Sequence, residues 1–558
     1  MKIFQLLDRK NAEAFLLVIF IFFVFFVRIG QPWNHKLSHT YPTYFNANDN
    51  FLHAEFSDYV KEKGNYAYSP YYMYSGYEDV IGYLPPILYH LSAMLSHLTD
   101  LETYDTTYII VMFLTCFGYL LVYFAIKRVN ETLAILSLPF MLGIFSFSFE
   151  IAHAWGLHIF ITGSFFVFAL IWCMENFDKK YSFILLSLFL SGAALGHTSE
   201  LIFSIGFIVV LFAVKFLRKE LKKYEIKNII LGFLIFTVIS AYYLTIFYFT
   251  WMKTQPFTFS VMERPIFAPN FSVNIWDFGI TQFILYAGLL FFVFLILFKD
   301  DAEKINVKST SPVLIAGIFM LLIGYTNYIG FNIRAFQTRI FWPVYLAVFM
   351  GLGLYFIPAH FKKWKFRYAY ILSFLLVLIF FFNHYNTLLG PGLIDQEIWN
   401  GFKWISENTP EEAKVYHFYS NFATQLDAFF PTKRVSYVVD VNDYIEALKA
   451  GVIKAEYKSV NNALIDTQLP YRTSLFSYGY HAYEDDFKKR SENVSLWDMN
   501  YYFFVVKDPY DSNSVLYLYN NYVKDFLKNQ TWIEEVYSNS EVVILKNNEP
   551  GRKPYETQ

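Results

Sequence analysis

Charge is scarce in this 558-residue chain: only 16% of its residues are Asp, Glu, Lys or Arg, against 55% hydrophobic. That balance excludes an ordinary soluble domain and points to helices that live in a bilayer. Cysteine is nearly absent. Cys116 and Cys173 both fall in apolar stretches, so no disulfide framework braces the polar segments. The net charge of −2 excludes a nucleic-acid partner. Gly-rich nucleotide loops, a Walker sequence, paired His/Cys zinc spacing and a Gly-x-Ser-x-Gly elbow are all missing. No internal repeat and no low-complexity tract stands out.

What the chain has in abundance is apolar sequence. A helix needs about 20 apolar residues to cross hydrocarbon. Eleven stretches qualify: 14–30, 106–126, 132–149, 154–174, 182–198, 201–217, 229–251, 280–298, 312–330, 340–358 and 368–385. The first is too long for a signal peptide and has no small-residue cleavage site, so it reads as a retained anchor. Basic clusters at Lys2 to Lys10, Lys127-Arg128, Lys179-Lys180, Lys215 to Lys227, Lys299 to Lys308 and Lys362 to Arg367 all fall on one face, the cytoplasmic one. The chain is then expected to be a multi-pass protein of the cell membrane with its N-terminus on the cytoplasmic side. The loops 31–105, 252–278 and 331–339 and the tail from 386 are expected outside.

Turn residues at Leu388-Leu389-Gly390-Pro391-Gly392 mark a boundary. Residues 1–390 read as a transmembrane core with a large first external loop, and 391–558 as an extracytoplasmic soluble domain. In that tail, 395–407 predicts an amphipathic helix through Ile398, Phe402 and Ile405. β-rich runs at 414–418, 434–439, 501–507 and 541–546 alternate with helical stretches at 442–450 and 514–528, the pattern of a small α/β domain. The expected fold class is an α-helical polytopic membrane protein of about 11 transmembrane helices carrying this α/β domain. Within the first loop, 50–63 and 84–98 predict short amphipathic helices, the second with Leu84, Leu88, Leu91 and Leu95 on its apolar face.

Several constellations could carry chemistry. Asp49 and His53 are four residues apart and share a helix face. Asp49 reads either as an N-cap beside a packed His53 or as a general base that takes a proton from a hydroxyl. His197, Ser199 and Glu200 interrupt apolar sequence between two spans, as helix caps or as a site. Glu150, His153 and His158 form a similar group beside Trp155, which reads as an interfacial belt with a polar lining. Arg334 and Arg339 sit on the outer side against the charge rule, either snorkelling or gripping a phosphate in a planar fork. Glu78, Asp79 and Gln337 complete the candidate site lining.

The runs Asp49…His53, Tyr71-Tyr72-Met73-Tyr74-Ser75-Gly76-Tyr77 and Tyr83-Leu84-Pro85-Pro86-Ile87-Leu88-Tyr89 resemble the C-type glycosyltransferase superfamily. They are most similar to its branch catalogued as the 6-pyruvoyl-tetrahydropterin synthase-related membrane domain. Ala194 to Thr198, Phe336-Gln337-Thr338-Arg339 and Trp404 to Ala413 fit the same branch. The resemblance implies a membrane transferase whose donor is a sugar on a polyprenyl phosphate, with Asp49 as catalytic base; the chemistry of the residues themselves adds His53 as an orienting group and an Arg339 or Arg334 guanidinium on the departing phosphate. An in-line displacement of that kind inverts the anomeric centre. The Trp-Trp-Asp-Tyr-Gly signature of oligosaccharyltransferase catalytic subunits is absent. No second acidic residue pairs evidently with the first, so no cofactor is assigned and a divalent metal stays open. The acceptor is a lipid, a glycan or a protein. Two rival readings are a transporter or flippase of lipid-linked glycans, and a silent membrane anchor that displays the C-terminal domain.

Overall fold

In the computed structural model the described residues are 9–25, 40–43, 45, 47–74, 76, 78, 80–82, 84–141, 153, 156–248, 280–297, 310–324, 338, 341–359, 366–384, 392–421, 426–461, 491–507 and 515–554. The helices run α1 Arg9–Phe23, α2 Asn48–Lys63, α3 Ile87–Thr99, α4 Thr103–Val129, α5 Glu131–Met141, α6 His158–Glu175, α7 Ser182–Gly196, α8 Thr198–Leu217 and α9 Lys223–Phe247. They continue with α10 Ile280–Leu297, α11 Pro312–Gly324, α12 Trp342–Ala359, α13 Phe366–His384 and α14 Gln396–Asn408. Each apolar stretch of the sequence overlaps one helix of this set. Among the described residues four of them, α4, α6, α8 and α9, are long and apolar enough to cross a membrane by length and composition.

The apolar helices pack mainly in pairs: α4 on α6, α6 on α7, α7 on α9, α5 on α12 and α10 on α12. Their outer faces are not covered by protein. Along α9, Ile230, Leu234, Val238 and Tyr242 are exposed at helical spacing, as are Val209, Phe216 and Leu217 on α8. Hydrocarbon is the environment that makes such a surface stable.

The tail forms a seven-stranded mixed sheet in the order β4-β3-β2-β1-β5-β7-β6. The strands are β1 Lys414–His417, β2 Val435–Val439, β3 Glu456–Asn461, β4 Ser491–Ser495, β5 Tyr501–Val505, β6 Ile533–Ser538 and β7 Val542–Asn547. β1 is parallel to β2 and β5, and the other pairs are antiparallel. Helix α14 covers one face through Ile398, Phe402 and Ile405; the other carries α15 Val441–Ala450 and α16 Val515–Lys528. Fully burying side chains of this size contributes roughly 1.5–3 kcal/mol each. Asp395 caps α14 by accepting from the Ile398 amide at 3.0 Å.

Helix α2 lies between the two parts. Leu52, Phe56 and Val60 join the membrane-helix core, while Phe51 and Ala54 join the core beneath the sheet. Two expectations for the first loop need correction. Asp49 is not the N-cap: that residue is Ala47, and Asp49 stands in the first turn. The cap is made instead by Asn50, whose Oδ1 accepts from the Ala47 amide at 3.2 Å. Helix α3 starts at Ile87 and buries Leu88, Tyr89, Ser92, Ala93 and Ser96, while Leu91 and Leu95 stay half-buried and Met94 and Leu98 are exposed. Hydroxyl pairing explains the rotation, because Ser92 Oγ bonds Thr106 Oγ1 at 2.8 Å and Thr107 Oγ1 at 2.7 Å on α4.

Candidate active site

The N-terminal half of α2 meets α3, the start of α4, the segment around His153–His158 and the turn between α7 and α8. Because α2 is helical through 48–63, Asp49 and His53 do share one face. His53 is buried, and its Nδ1 lies 3.0 Å from the Tyr89 hydroxyl. Burial, reinforced by His158 and His197, holds the His53 imidazole well below its ordinary pKa. It is therefore a neutral ring at physiological pH, able to accept at Nδ1 and to keep its proton on Nε2. Burial first, then the neighbouring Tyr74, Tyr243 and Asp49, pushes the Tyr89 phenol well above 10. Tyr89 stays protonated, and Asp49 is close enough to act on it.

The second layer is a group of buried histidines. The His53 and His158 rings are 6.1 Å apart, and Tyr108 packs edge-on against both His153 and His158. Asn50 Nδ2 donates to the His153 carbonyl at 3.3 Å, and His158 Nε2 lies 3.2 Å from the same oxygen. His153 Nε2 sits 3.2 Å from Thr115 Oγ1. With Nε2 of His158 donating, its Nδ1 is a buried acceptor with no partner among the described residues.

The third layer is the turn at His197, a single extended residue between α7 and α8. His197 Nδ1 pairs with Glu200 Oε2, and Ser199 Oγ donates to the same oxygen at 2.8 Å. Glu200 is wholly buried, and those partners offset the cost of a carboxyl at that depth. Phe160 packs on His197 and stacks on Phe341 at 5.0 Å, which brings the start of α12 to the same place.

Two glycines make this convergence possible. Gly156 has φ +73°, and a Cβ there would lie 2.3 Å from the Asn50 amide nitrogen and 2.6 Å from the Asp49 carbonyl carbon. A Cβ on Gly163 would lie 2.9 Å from His197 Cβ and 3.1 Å from Glu200 Cγ. Only a residue without a side chain allows either approach.

Of the residues singled out in the sequence, the structure brings together Asp49, His53, His153, His158, His197, Ser199 and Glu200. Glu78 is exposed and acts on Tyr71, whose hydroxyl donates to the Glu411 carbonyl in the tail, so it does not line this cluster. Asp79, Arg334, Gln337 and Arg339 lie outside the described residues, as does Glu150. Tyr89, Asn50 and Tyr108 were not anticipated as neighbours of the histidines. No group of three or more His, Cys, Asp or Glu among the described residues is arranged to hold a metal ion.

Solved structures share this architecture. The chain superposes on the apo oligosaccharyltransferase of Archaeoglobus fulgidus with a TM-score of 0.58 at 13% identity, covering 89% of this chain and 70% of that one. The same archaeal enzyme, in complex with an inhibitory peptide and a dolichol-phosphate, aligns at 12% identity and a TM-score of 0.55, over 89% and 70%. ArnT from Cupriavidus metallidurans bound to undecaprenyl phosphate aligns at 12% identity and a TM-score of 0.54, over 96% and 98% of the two chains. The chain shares the fold of these solved membrane-enzyme structures. The arabinofuranosyltransferase AftD from Mycobacteria has it too, at 12% identity and a TM-score of 0.57, over 98% of this chain but 40% of that one. No protein-family model and no curated protein sequence matches the chain.

Proposed function

We propose that this chain is a glycosyltransferase of the outer membrane face, moving a sugar from a polyprenyl-phosphate donor to a lipid, glycan or protein acceptor. The observation that carries the reading is the buried cluster built on Asp49, His53, Tyr89, His158 and the His197–Glu200 pair, set in a C-type fold. Asp49 would take the acceptor proton while the hydroxyl attacks the anomeric carbon and the polyprenyl phosphate departs, with inversion. His53 and Tyr89 would hold that carboxylate's surroundings fixed and dry. Arg339 or Arg334 would neutralise the leaving phosphate. Dolichol-phosphate and undecaprenyl phosphate in the two solved relatives support a lipid-linked donor.

The same proposal places the N-terminus in the cytoplasm. It takes residues 1–390 as the catalytic membrane core and 391–558 as an external domain, and assigns the chain to the pterin-synthase-named branch of the superfamily. Purified protein in lipid nanodiscs, given a radiolabelled polyprenyl-phosphate sugar and a membrane extract as acceptor source, should release free polyprenyl phosphate and label an acceptor. Movement of the intact donor between leaflets without cleavage would overturn the reading in favour of a transporter.

A further inference from the structure

Helix α2 has a second charged face. Glu55, Asp58 and Glu62 follow one another at three- and four-residue steps. At about 100° per residue, that face lies roughly half a turn around the helix from Asp49 and His53. It meets Lys433, which belongs to the C-terminal domain. Lys433 Nζ is 2.6 Å from Asp58 Oδ2 and also pairs with Glu62, while the buried Glu55 accepts from the Tyr72 hydroxyl.

The lysine is held rigidly from behind. Lys433 follows a short 3-10 helix, Leu426–Thr432, and adopts φ +52°, a left-handed conformation disfavoured for a residue with a Cβ. Its amide donates to the Phe430 carbonyl at 2.8 Å, and its own carbonyl accepts from Arg434 Nη1 at 2.8 Å. Arg434 is itself buried, with Nε donating to Thr409 Oγ1 at 2.9 Å and Nη2 to the Ser406 carbonyl at 3.0 Å, both at the end of α14. Burial lowers the Lys433 pKa, but Glu55, Asp58 and Glu62 together outweigh it and keep the amine charged. A strained backbone wired into the C-terminal domain thus presents one fixed cation to the back of α2.

We propose that Lys433 is a positioning residue, an anchor by which the C-terminal domain fixes the placement of α2, and so of its Asp49–His53 face, from the opposite side of the helix. The inference rests on the assignment of Asp49 and His53 to the proposed transfer. It makes the tail part of the catalytic apparatus through the placement of α2. Removing the clamp leaves Asp49 and His53 intact but lets the helix shift, and a displacement of about 1 Å can cost about 100-fold in rate.

The test uses the full chain in nanodiscs with two readouts, hydrogen exchange across 48–63 and steady-state transfer. Lys433→Met keeps the aliphatic stem and removes the charge. Exchange in 48–63 should become about tenfold faster, while α15 in the same domain exchanges as in wild type. The kcat should fall about 10- to 100-fold with KM for the lipid-linked donor within about twofold, and Lys433→Arg should restore both. Unchanged exchange in 48–63, or a kcat that falls only in step with the folded fraction, overturns the inference. If the wild-type protein transfers no sugar, the transferase reading fails and the exchange measurement still decides the clamp. Should Lys433→Met not fold, Asp58→Asn combined with Glu62→Gln removes the same contacts from the helix side. An unaltered kcat and exchange in that double variant would equally overturn it.

Discussion

Replacing Asp49 by Asn keeps the shape of the side chain and removes its charge and basicity. Two costs can be separated on the structure. Asp49 stands in the first turn of α2, where a negative charge is favoured by the helix dipole by about 0.3–1 kcal/mol, so folding should weaken by less than about 1 kcal/mol. If Asp49 is the general base, the same change should lower turnover by about 10²–10⁴, equivalent to roughly 3–5 kcal/mol in the transition state. The kinetic effect exceeds the structural one several-fold, so an assay at matched concentrations of folded protein resolves them. The initial rate of polyprenyl phosphate release in nanodiscs gives the first quantity, and thermal unfolding of the same preparation gives the second. Glu78→Gln is the control, because Glu78 is exposed and away from the histidine cluster; it should leave the rate within about twofold. A rate for Asp49→Asn above about one tenth of wild type would refute the base assignment, as would a loss that simply tracks unfolding.

Arg339→Lys keeps a charge but loses the planar fork and should weaken donor use, with Arg339→Ala weaker still; wild-type behaviour of both would reduce the arginine to a helix-end anchor. Single cysteines at the exposed positions Lys63 and Lys449, after replacement of the buried Cys116 and Cys173, should both react with an impermeant thiol reagent in intact cells, and protection of either would reverse the proposed topology. His417 is buried between Phe429 and Phe503, and burial pushes its imidazole down to about 3. The native state therefore binds fewer protons than the unfolded chain between pH 6.5 and about 3, so its contribution is complete above 6.5 and falls by up to about 1.4 kcal/mol per pH unit below it. Acid unfolding of the C-terminal domain, followed by near-ultraviolet circular dichroism, should shift to lower pH in His417→Phe, and an unchanged midpoint would count against that linkage.

Much of the architecture was legible because its signals are local. Runs of apolar residues mark the membrane helices without any knowledge of their neighbours, and β1, β2, β5 and β7 announce themselves as Val- and Tyr-rich stretches. Strands β3, β4 and β6 did not. Their sequences, Glu456–Asn461, Ser491–Ser495 and Ile533–Ser538, are polar, and β4 and β6 are the sheet's edges, where exposed side chains need not be apolar. The site divides in the same way. Asp49 with His53 and His197 with Glu200 are close in sequence, and the second pair also stands out as ionisable groups in apolar surroundings. Tyr89 as the partner of His53 was hidden, since one tyrosine among 45 carries no mark of its contact. Lys433 was hidden more deeply, because its pairing with Asp58 and Glu62 depends on the closed tertiary structure alone.

The great separation in sequence between α2 and Lys433 has a consequence for biogenesis. Translation proceeds at about 5–20 residues per second, so some tens of seconds pass between the emergence of the helix and that of its clamp. Throughout that interval Asp58 and Glu62 have no lysine to face, and the Phe51 and Ala54 side of the helix has no sheet domain to cover it. A nascent or truncated chain that ends before Lys433 therefore carries Asp49 and His53 but not the contact that holds their helix. On the proposed assignment, the helix that bears Asp49 and His53 gains its anchor only after Lys433 has been made, so assembly of the site follows synthesis of that part of the tail.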